Sequence, residues 1–542
     1  MKPSTMNAAA GEHAPERTTP GRHADPAYFA DTWAFQALAL RILALLPALG
    51  FLLVVLSPPL NHDVAAVLDF AARMLRGEPL YAELVDVNPP LVFLLNLPAA
   101  WLAAMTPLSD IQALLGLLLL FCAGTLWLCL RLAQRGAAER AVLMALLPLL
   151  MLQAGYDFGQ REHLMAVAAL PYLFLAERRI AAVATPWPLW LAALGLAALG
   201  FALKPHFLAV PLLVEAMVLL AVWRGRGLVA AFHDPAPWLM AALWALYVAA
   251  IPVFFPAYFD EILPLVWGWY VDLGSAPWWR VLLTAPTGSA ALLALGAALL
   301  AGFAPSRLGW LPKLAAAAML GGLAAALVQH KGWSYHLVPV WLFGGLAAAT
   351  LAARAADAAL SPGTARRAGP FLAFGLALFL GAFALRGDQS PWLQLNWAES
   401  RGGQLAAWLA REAPEGRLLV LSPDIPDVYP AVNYAGERLL LPFMSTWLLQ
   451  ATYGECSPGA PRYRAPRAMP EAERRVWNSV AEALAQGAPA TVMIARWSGI
   501  PECGGHFDLL DYFLRNPEFA RAWRMYRPAG EIGGYRLFRR VP

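Results

Sequence analysis

Long apolar windows recur along most of this 542-residue chain, and they constrain its fold more than any other feature. Windows of about 17 to 25 residues are long enough to cross, as α-helices, the roughly 30 Å of hydrocarbon in a bilayer. They begin at Gln36 and continue to Arg386. We predict a polytopic α-helical membrane protein with about 11 spans, near 36–56, 110–132, 140–156, 163–177, 187–204, 206–223, 236–256, 281–303, 311–329, 335–353 and 369–386.

The composition agrees with this prediction and excludes several other classes of protein. Hydrophobic residues make up 59% of the chain and charged residues 14%, whereas soluble domains are roughly one-quarter charged. A disordered chain, a collagen-like chain and a single soluble domain are therefore excluded. The net charge of +4 is small and scattered, so the chain carries no electrostatic signature of nucleic-acid binding.

Basic residues predict how the chain is oriented in the membrane. Residues 1–35 are polar and lack an apolar core and a cleavage site, so we predict a disordered cytosolic tail and not a signal peptide. Segment 89–107 is apolar but begins with two prolines, and we interpret it as a juxtamembrane or re-entrant helix. The arginines and lysines of the later connections then fall on the side of the tail, as the positive-inside rule expects. The C-terminus is therefore predicted to lie outside.

The composition changes after Gly387, where charged residues become frequent and no further long apolar window occurs. Buried strands are predicted within 416–424, 490–496 and 535–541, and an amphipathic helix within 469–487. We therefore predict a membrane domain over 36–386, with a first outer loop at 57–109, and an outer soluble α/β domain over 387–542. Cys456 and Cys503 lie in turn-like segments of that domain, where an oxidising compartment would permit a disulfide.

Ionisable residues gather on the predicted outer face, at the ends of separate spans. Each costs about 2.5 to 3.5 kcal/mol to insert at the centre of a membrane helix, so their concentration at one face indicates a shared site. The alternative is that each side chain reaches water or pairs with a neighbour. The set comprises His62, Asp63, Asp157, Arg161, Glu162, His163, Lys204, His206, Asp260, Glu261, His330, Lys331, Tyr335 and His336.

The first outer loop is the most informative stretch of the chain. The pair His62-Asp63 follows the first span directly, an amphipathic helix comes next, and Gly77 ends it. An aspartate held at the bilayer surface is suitably placed to take a proton from an attacking hydroxyl or amine. The alternative is that Asp63 is the N-cap of this helix, a role that is compatible with catalysis.

Three elements of the chain together resemble the GT-C superfamily of membrane glycosyltransferases. Lys204 resembles the lysine that follows a middle span in these families, and 329–339 resembles their Lys-x-x-x-Tyr-x-x-x-Pro element. The matching residues of the first loop are Asp63, Ala71, Met74, Gly77, Tyr81, Asp86 and Pro89-Pro90-Leu91. These motifs resemble the bacterial branch related to protein O-mannosyltransferases, lipid A aminoarabinose transferases and Rgt-type sugar transferases. Asp63 departs from the pattern, because Val64 follows it where the family often has Glu.

The resemblance implies transfer of a sugar from a polyprenyl-phosphate carrier to an acceptor at the outer face of the bacterial inner membrane. It makes Asp63 the candidate general base or acceptor-orienting carboxylate. Lys204, Arg161 and Lys331 become candidate ligands of the departing phosphate, which gains negative charge. The implied substrate-binding residues are His62, Asp157, Glu162, His163, His206, His330, Tyr335 and His336.

Membrane lipid, the lipid-linked sugar and an unidentified acceptor are the partners that the resemblance implies. Dependence on a divalent cation stays open, although the sequence lacks the close His and Cys spacing of a dedicated zinc site. Glycine motifs for nucleotide binding are also absent from the sequence, which argues against direct use of a nucleotide.

Two other classes of function remain open at this point. A transporter or flippase for a lipid-linked intermediate would also need buried cations and many helices, but it would be expected to show internal repeats and polar residues near mid-membrane. A non-catalytic membrane scaffold would leave the outer-loop charges dispensable.

Overall fold

The computed structural model of the chain describes residues 26–133, 136–386, 389–412, 416–454, 461–502 and 504–541. It consists of a helical membrane part and a smaller C-terminal α/β domain. The two cysteines of the predicted disulfide, Cys456 and Cys503, lie outside the described residues, as does the tail up to residue 25.

The membrane part is built from helices that follow one another through mostly short connections. In chain order they are α1 (Pro26–Leu56), α2 (His62–Leu75), α3 (Leu91–Met105), α4 (Asp110–Leu132), α5 (Ala137–Leu152), α6 (Arg161–Ile180), α7 (Trp187–Ala202), α8 (Ala209–Arg226), α9 (Leu228–Phe232), α10 (Pro235–Phe254), α11 (Leu263–Leu265), α12 (Trp278–Leu282), α13 (Ala285–Phe303), α14 (Leu311–Val328), α15 (Val338–Ala359) and α16 (Pro362–Ala384). Two π-helical turns, Tyr258–Ile262 and Val266–Tyr270, flank α11.

Eight segments of the described chain are long and apolar enough to cross a membrane, and each coincides with a predicted span. They are Phe35–Leu56, Asp110–Leu132, Pro205–Arg226, Leu228–Phe254, Ala285–Phe303, Leu311–Val328, Ser334–Ala359 and Pro362–Ala384. The three other predicted spans are helices as well, α5, α6 and α7, of 16, 20 and 16 residues, but they are not among the segments long and apolar enough to cross a membrane by themselves. The first helix begins at Pro26, earlier than the predicted start at 36.

The apolar segment before the second span forms the separate helix α3. Its 15 residues extend over roughly 22 Å, which is too short to cross the hydrocarbon layer. Pro90 stands at its N-terminus, and the helix packs against α2 and α4. This length and position agree with the interpretation of a juxtamembrane or re-entrant helix.

Small residues let the central helices of the bundle approach closely. Gly321 of α14 faces the main chain of α8, and a Cβ at this position would lie 2.6 Å from the Cα of Val210. Gly369 of α16 faces α5, and a Cβ there would lie 3.0 Å from the Cα of Ala138. Close packing of this kind drives helix association in lipid, where the hydrophobic effect between helices is absent.

Buried ion pairs hold the helices together at the end of the bundle away from the C-terminal domain. Arg354 of α15 donates to Glu139 of α5 at 2.8 Å and to Glu177 of α6 at 2.6 and 2.7 Å. Arg179 of α6 forms an ion pair with Glu215 of α8 at 2.7 Å. Both arginines belong to the group that the positive-inside pattern assigns to the cytosolic side.

The C-terminal domain surrounds one mixed sheet. Its helices are α17 (Trp392–Leu395), α18 (Arg401–Glu412), α19 (Val428–Ala435), α20 (Trp447–Thr452), α21 (Glu471–Ala485), α22 (Leu509–Leu514) and α23 (Pro517–Trp523). Its strands are β1 (Arg417–Leu421), β2 (Pro426–Asp427), β3 (Arg438–Leu439), β4 (Thr491–Ala495), β5 (Tyr526–Ile532) and β6 (Tyr535–Arg540). The order in the sheet is β3-β1-β4-β6-β5, with β1 parallel to β3 and β4, and β6 antiparallel to β4 and β5.

The three predicted strands and the predicted helix are confirmed as β1, β4, β6 and α21. The sequence gives weak signals for β3, which has only two residues, and for β5, which contains Pro528 and Gly530. Proline and glycine are depleted in strands, and here the pairing of β5 with β6 shifts register between these two residues.

The C-terminal domain packs directly on the first loop of the membrane part. The N–H of Leu60 donates to the hydroxyl of Tyr434 at 3.1 Å, and the guanidinium of Arg73 in α2 donates to the carbonyl of Leu441 at 2.7 Å. Helix α19 also packs along α2. The domain therefore lies at the same end of the bundle as the His62-Asp63 pair.

Candidate active site

The turn between α1 and α2 presents Asp63 at the first turn of α2. The N-cap of this helix is Asn61, whose side-chain oxygen accepts from the N–H of Asp63 at 3.0 Å and of Val64 at 3.5 Å. The alternative in which Asp63 itself caps the helix is therefore wrong. Because a neighbouring amide satisfies the helix N-terminus, the Asp63 carboxylate is available for other contacts.

Polar and cationic groups surround the carboxylate of Asp63. Gln160 donates to it at 3.0 Å, Arg161 at 3.4 Å, and the His62 ring lies 3.7 Å away. Burial raises the pKa of Asp63, but the charges of His62 and Arg161 and the hydrogen bond from Gln160 together lower it further than burial raises it. The carboxyl pKa is thus below its ordinary value, and Asp63 is ionised at neutral pH.

Arg161, the first residue of α6, is held in position by the first loop. Its guanidinium donates to the side-chain oxygen of Asn88 as well as to Asp63. Asn88 is in turn fixed by Asp86, whose carboxylate accepts from the Asn88 N–H at 2.8 Å and from its side-chain amide at 2.7 Å. The hydroxyl of Tyr81 donates to the carbonyl of Asn88 at 2.6 Å. Tyr81 and Asp86, both part of the family-like motif, therefore fix the position of Asn88, and Asn88 in turn fixes the position of Arg161.

A second cluster of charges lies beside the first, starting from the next residue of α6. Lys204 donates to Glu162 at 2.7 Å and to the side-chain oxygen of Gln329 at 3.2 Å. The His336 ring lies 3.9 Å from the same Glu162 oxygen. All of these side chains except Gln329 are buried. Since Arg161 and Glu162 are consecutive, α6 joins the two clusters into one site.

A cavity of about 470 Å³ opens in front of Asp63. Asp63, Arg161 and Tyr335 line its membrane side, and residues 423–426 and Trp447 of the C-terminal domain line the opposite side. Lys204 stands behind this wall, with its ammonium 5.5 Å from the centre of the Tyr335 ring. The volume is in the range of small-molecule sites, about 300 to 1,000 Å³. The cavity is therefore large enough for a sugar and a phosphate.

Asp157 lies on the other side of the α2 cap. Its carboxylate accepts from the side-chain amide of Asn61 at 3.2 Å. Burial, followed by the negative charges of Glu162 and Asp63, raises the pKa of Asp157 to about 7. The two carboxyl groups beside Asn61 thus have pKa values that are shifted in opposite directions. Asp63 is ionised at neutral pH, whereas Asp157 can hold a proton there.

Three predicted site residues are not brought into this cluster. His163 donates to the Met151 carbonyl at 2.8 Å and accepts from the Gly159 N–H, so it braces the turn before α6. Lys331 donates to main-chain carbonyls of the segment 270–273, while the His330 side chain is exposed.

Of the other predicted residues, His62 and Tyr335 line the cavity, whereas His206 and His336 are not among its lining residues. His62 contacts the Tyr156 hydroxyl at 2.7 Å and lines the cavity. His206 is two residues from Lys204, and its Nε2 has no hydrogen-bond partner among the described atoms. Neither ring nitrogen of the buried His336 has one.

Comparison with known proteins decides the fold. No protein-family model matches the sequence, and the comparison with curated proteins finds no match either. Among solved structures, the chain is similar to the crystal structure of ArnT from Cupriavidus metallidurans bound to undecaprenyl phosphate. The alignment covers 95% of this chain and 98% of that chain, with a TM-score of 0.50 and 13% sequence identity. The chain has the GT-C fold. The resemblance inferred from the motifs is thus confirmed at the level of fold.

Within this GT-C fold, sequence reasoning missed the neutral side chains that hold the charged ones. Each of them carries an amide and lies within two residues of a predicted site or motif residue: Asn61, Asn88 and Gln160. Gln329 belongs to the predicted element 329–339, but its contact with Lys204 was not predicted. That proximity is the only signal available for them in the sequence. The wall contributed by the C-terminal domain has no local signal at all, because its residues are remote in the chain.

The arrangement suits the binding of an anion next to an ionised carboxylate. Arg161 and the Asp63 carboxylate line the cavity together, and Lys204 supplies a second buried positive charge behind the Tyr335 ring. Among the described residues, no three His, Cys, Asp or Glu side chains come close enough to hold a metal ion together.

Proposed function

We propose that the chain is an integral membrane glycosyltransferase that moves a sugar from a polyprenyl-phosphate-linked donor to a cell-envelope acceptor, at the periplasmic face of the bacterial inner membrane. The observation that carries this proposal is an ionised Asp63 facing a cavity that the buried cation Arg161 lines, with the buried cation Lys204 behind the Tyr335 ring of its wall. The ArnT structure of the same fold, bound to undecaprenyl phosphate, supports a lipid phosphate as ligand. In this proposal the N-terminus is cytoplasmic and the C-terminal domain periplasmic.

The proposed reaction is a displacement at the anomeric carbon of the donor sugar. Asp63 accepts the proton of the acceptor's hydroxyl or amine, and the oxygen or nitrogen forms the new bond to the anomeric carbon. The bond from that carbon to the phosphate oxygen breaks, and its electron pair leaves with the polyprenyl phosphate. The negative charge that develops lies next to Arg161 and Lys204. Fixed cations of this kind stabilise the transition state more than the ground state.

Buried imidazoles supply further ligands in this proposal. The two ring nitrogens of His336 and the Nε2 of His206 lack partners among the described atoms, and an unsatisfied buried polar group costs about 1 to 3 kcal/mol. A phosphate oxygen or a sugar hydroxyl would satisfy them. We therefore assign His336 and His206 to substrate binding, together with the Tyr335 hydroxyl at the cavity wall.

The test of the proposal is the Asp63→Asn variant, which keeps the shape of the side chain and removes the base. Asp110→Asn, which alters a carboxylate at the start of α4 outside the cavity, is the matched control. A strain that lacks the gene is complemented with each variant, and its glycolipids and envelope glycans are compared by mass spectrometry. We expect wild type and Asp110→Asn to restore a missing sugar, and Asp63→Asn to lower its transfer by about 10²- to 10⁴-fold.

Two results would count against the proposal. Full restoration by Asp63→Asn, at equal abundance in the membrane, removes Asp63 from the mechanism. Unchanged glycans and glycolipids in the strain that lacks the gene contradict glycosyl transfer itself.

A further inference from the structure

Five arginines lie at one end of the sheet in the C-terminal domain. Arg417 begins β1, Arg438 begins β3, and Arg539 and Arg540 stand at the end of β6. Arg527 is the second residue of β5. Because β1, β3 and β4 are parallel and β6 runs antiparallel to both β4 and β5, these positions meet at the same end of the sheet. All five residues are exposed, and this group is called the arginine rim below.

The register of the strands places arginines directly beside one another. Arg417 is the partner of Arg438 in the parallel pair of β1 and β3, and Arg527 is the partner of Arg539 in the antiparallel pair of β5 and β6. Neighbouring strands lie about 4.8 Å apart, and like charges that face each other across two strands destabilise a sheet. The folded domain therefore holds two unfavourable pairs at one end, which neutral side chains at these exposed positions would avoid.

Carboxylates of the described chain neutralise little of this charge. Arg539 forms an ion pair with Glu412 at 2.7 Å, and both side chains are about half exposed. Arg438 and Arg540 form no ion pair with a described carboxylate. Glu437 precedes Arg438, but its carboxyl group is buried, and burial raises its pKa to about 7. The rim therefore keeps most of its positive charge.

Main-chain carbonyls hold two of the guanidinium groups in place. Arg417 donates to the carbonyl of Gly487 at 3.4 Å, and Arg527 donates to those of Arg524 at 2.7 Å and Tyr526 at 3.0 Å. A guanidinium has five N–H donors, so most of them remain available to an anion.

The rim lies at the opposite end of the sheet from the Asp63 cavity. Residues 423–426, which follow the other end of β1, line that cavity. The five residues of β1 separate the two ends by roughly 17 Å. At the cavity end the arginines are paired, since Arg496 donates to Glu531 at 2.6 Å and Arg536 forms an ion pair with Asp508 at 3.0 Å. The uncompensated charge is thus confined to a surface of its own.

We propose that the arginine rim binds a linear acidic polysaccharide, which lies across the end of the sheet. A row of cations on neighbouring strands suits a polymer with repeated anionic groups better than a single small anion. The strand spacing of about 4.8 Å exceeds the roughly 3.3 to 3.6 Å that an extended peptide residue covers, and one sugar unit is longer than such a residue. Bound carboxylates would offset the repulsion within the two arginine pairs. This surface is separate from the Asp63 cavity, so the proposal does not depend on glycosyl transfer.

The experiment measures binding of polygalacturonate oligomers, which carry one carboxylate per sugar unit, to the purified full-length protein by microscale thermophoresis. Neutral dextran and polyglutamate of equal charge are the comparison polymers. The double variant Arg417→Gln/Arg438→Gln removes one arginine pair of the rim. Its matched control, Arg467→Gln/Arg496→Gln, removes two exposed arginines outside the rim and changes the net charge equally.

We expect the wild type to bind polygalacturonate with an affinity that falls as salt is added, and not to bind dextran. The rim variant should bind polygalacturonate about tenfold or more weakly, because charge-assisted contacts are lost. Its melting temperature should rise, because the repulsive pair is gone. The control variant should bind the polymer like the wild type.

Other outcomes overturn the proposal. Unchanged affinity in the rim variant shows that the polymer does not contact this end of the sheet. An equal loss in the control variant shows that net charge alone attracts the polymer. Tighter binding of polyglutamate than of polygalacturonate assigns the rim to an acidic protein segment. A lower melting temperature in the rim variant contradicts the repulsion between Arg417 and Arg438 on which the proposal rests.

Discussion

Lys204 and Glu162 form a buried ion pair. Variants of these two residues can show whether Lys204 contributes to the stability of the protein, to phosphate binding, or to both. Lys204→Met leaves Glu162, 1% exposed, without its cation, which costs about 3 to 5 kcal/mol of stability. The double variant Lys204→Met/Glu162→Gln contains no unpaired charge and should recover most of that loss. Neither variant should bind the donor-like probe farnesyl phosphate normally, because a charge-assisted hydrogen bond of about 1.5 to 3 kcal/mol is missing in both. Thermal unfolding in detergent and titration with the probe measure the two effects.

Recovery of farnesyl phosphate affinity in the double variant would show that Lys204 serves only to neutralise Glu162. The single variant Glu162→Gln completes the cycle, since it keeps the ammonium and removes its partner. We expect it to retain the affinity for the probe.

Residue types could be predicted from the sequence, but their partners could not. The concentration of charges on one face correctly indicated that Asp63, Arg161, Glu162 and Lys204 meet. The same reasoning assigned Lys331 to the phosphate, whereas its ammonium binds carbonyls beside the π-helical turns. Nothing in hydrophobic periodicity marks a π-helical turn, because its carbonyls become available only through the local hydrogen-bond pattern.

At the scale of the secondary-structure element, the cap of α2 positions the proposed base. Asn61 accepts from the N–H groups of Asp63 and Val64 and also from Gln160 at 2.8 Å. Asn61→Ala should lower stability by about 0.5 to 2 kcal/mol and also slow sugar transfer, because Asp63 loses its fixed position. The KM for the donor should stay unchanged, since the cations are untouched.

Ser109→Ala is the matched control for this prediction. Ser109 is the N-cap of α4, in an exposed capping box with Gln112. Its loss should cost a similar amount of stability and leave the transfer rate unchanged. Equal rates for Asn61→Ala and Ser109→Ala, together with equal melting temperatures, would contradict the positioning role of Asn61.

Hydropathy predicted the elements of the membrane part better than their ends. Every predicted span is a helix, because roughly 20 apolar residues in lipid have few alternatives to helical structure. The ends depend on caps and turns: α5 stops at Leu152, before the 3₁₀ turn Gly155–Asp157 that carries Asp157 into the site. Short polar strands such as β3 have no comparable signal, since tertiary pairing alone defines them.

At the scale of the whole molecule, the order of the parts could be predicted and their docking could not. A composition change marked the C-terminal domain, but its contacts with the first loop join residues far apart in the chain, such as Leu60 with Tyr434 and Arg73 with Leu441. These contacts bring the domain over the cavity, so that Trp447 faces Asp63 across it. The site is therefore complete only when the domain is docked.

A buried carboxyl group makes this docking depend on pH. Asp69 of α2 accepts from the Tyr429 hydroxyl of α19 at 3.1 Å. Burial raises the pKa of Asp69 to about 6, although Arg73 and the Tyr429 hydrogen bond partly offset this rise, and Arg76 and Glu78 act more weakly. The folded protein therefore holds a proton between about pH 4 and pH 6 that the unfolded chain has lost. The resulting stability is fully present below the ordinary pKa of 3.8 and is lost as the pH rises through about 6.

Asp69→Asn should remove this pH dependence, because the amide oxygen still accepts from Tyr429 and cannot ionise. The shift in pKa corresponds to about 3 kcal/mol, so the variant should match the wild type only below about pH 4 and should exceed its free energy of unfolding by up to about 3 kcal/mol above about pH 6. Tyr429→Phe, which removes only the hydroxyl, should cost about 1 kcal/mol in the acidic range. Thermal unfolding of the three proteins in detergent across this range measures both effects. A difference between Asp69→Asn and wild type that does not change with pH would show that Asp69 does not titrate at the interface.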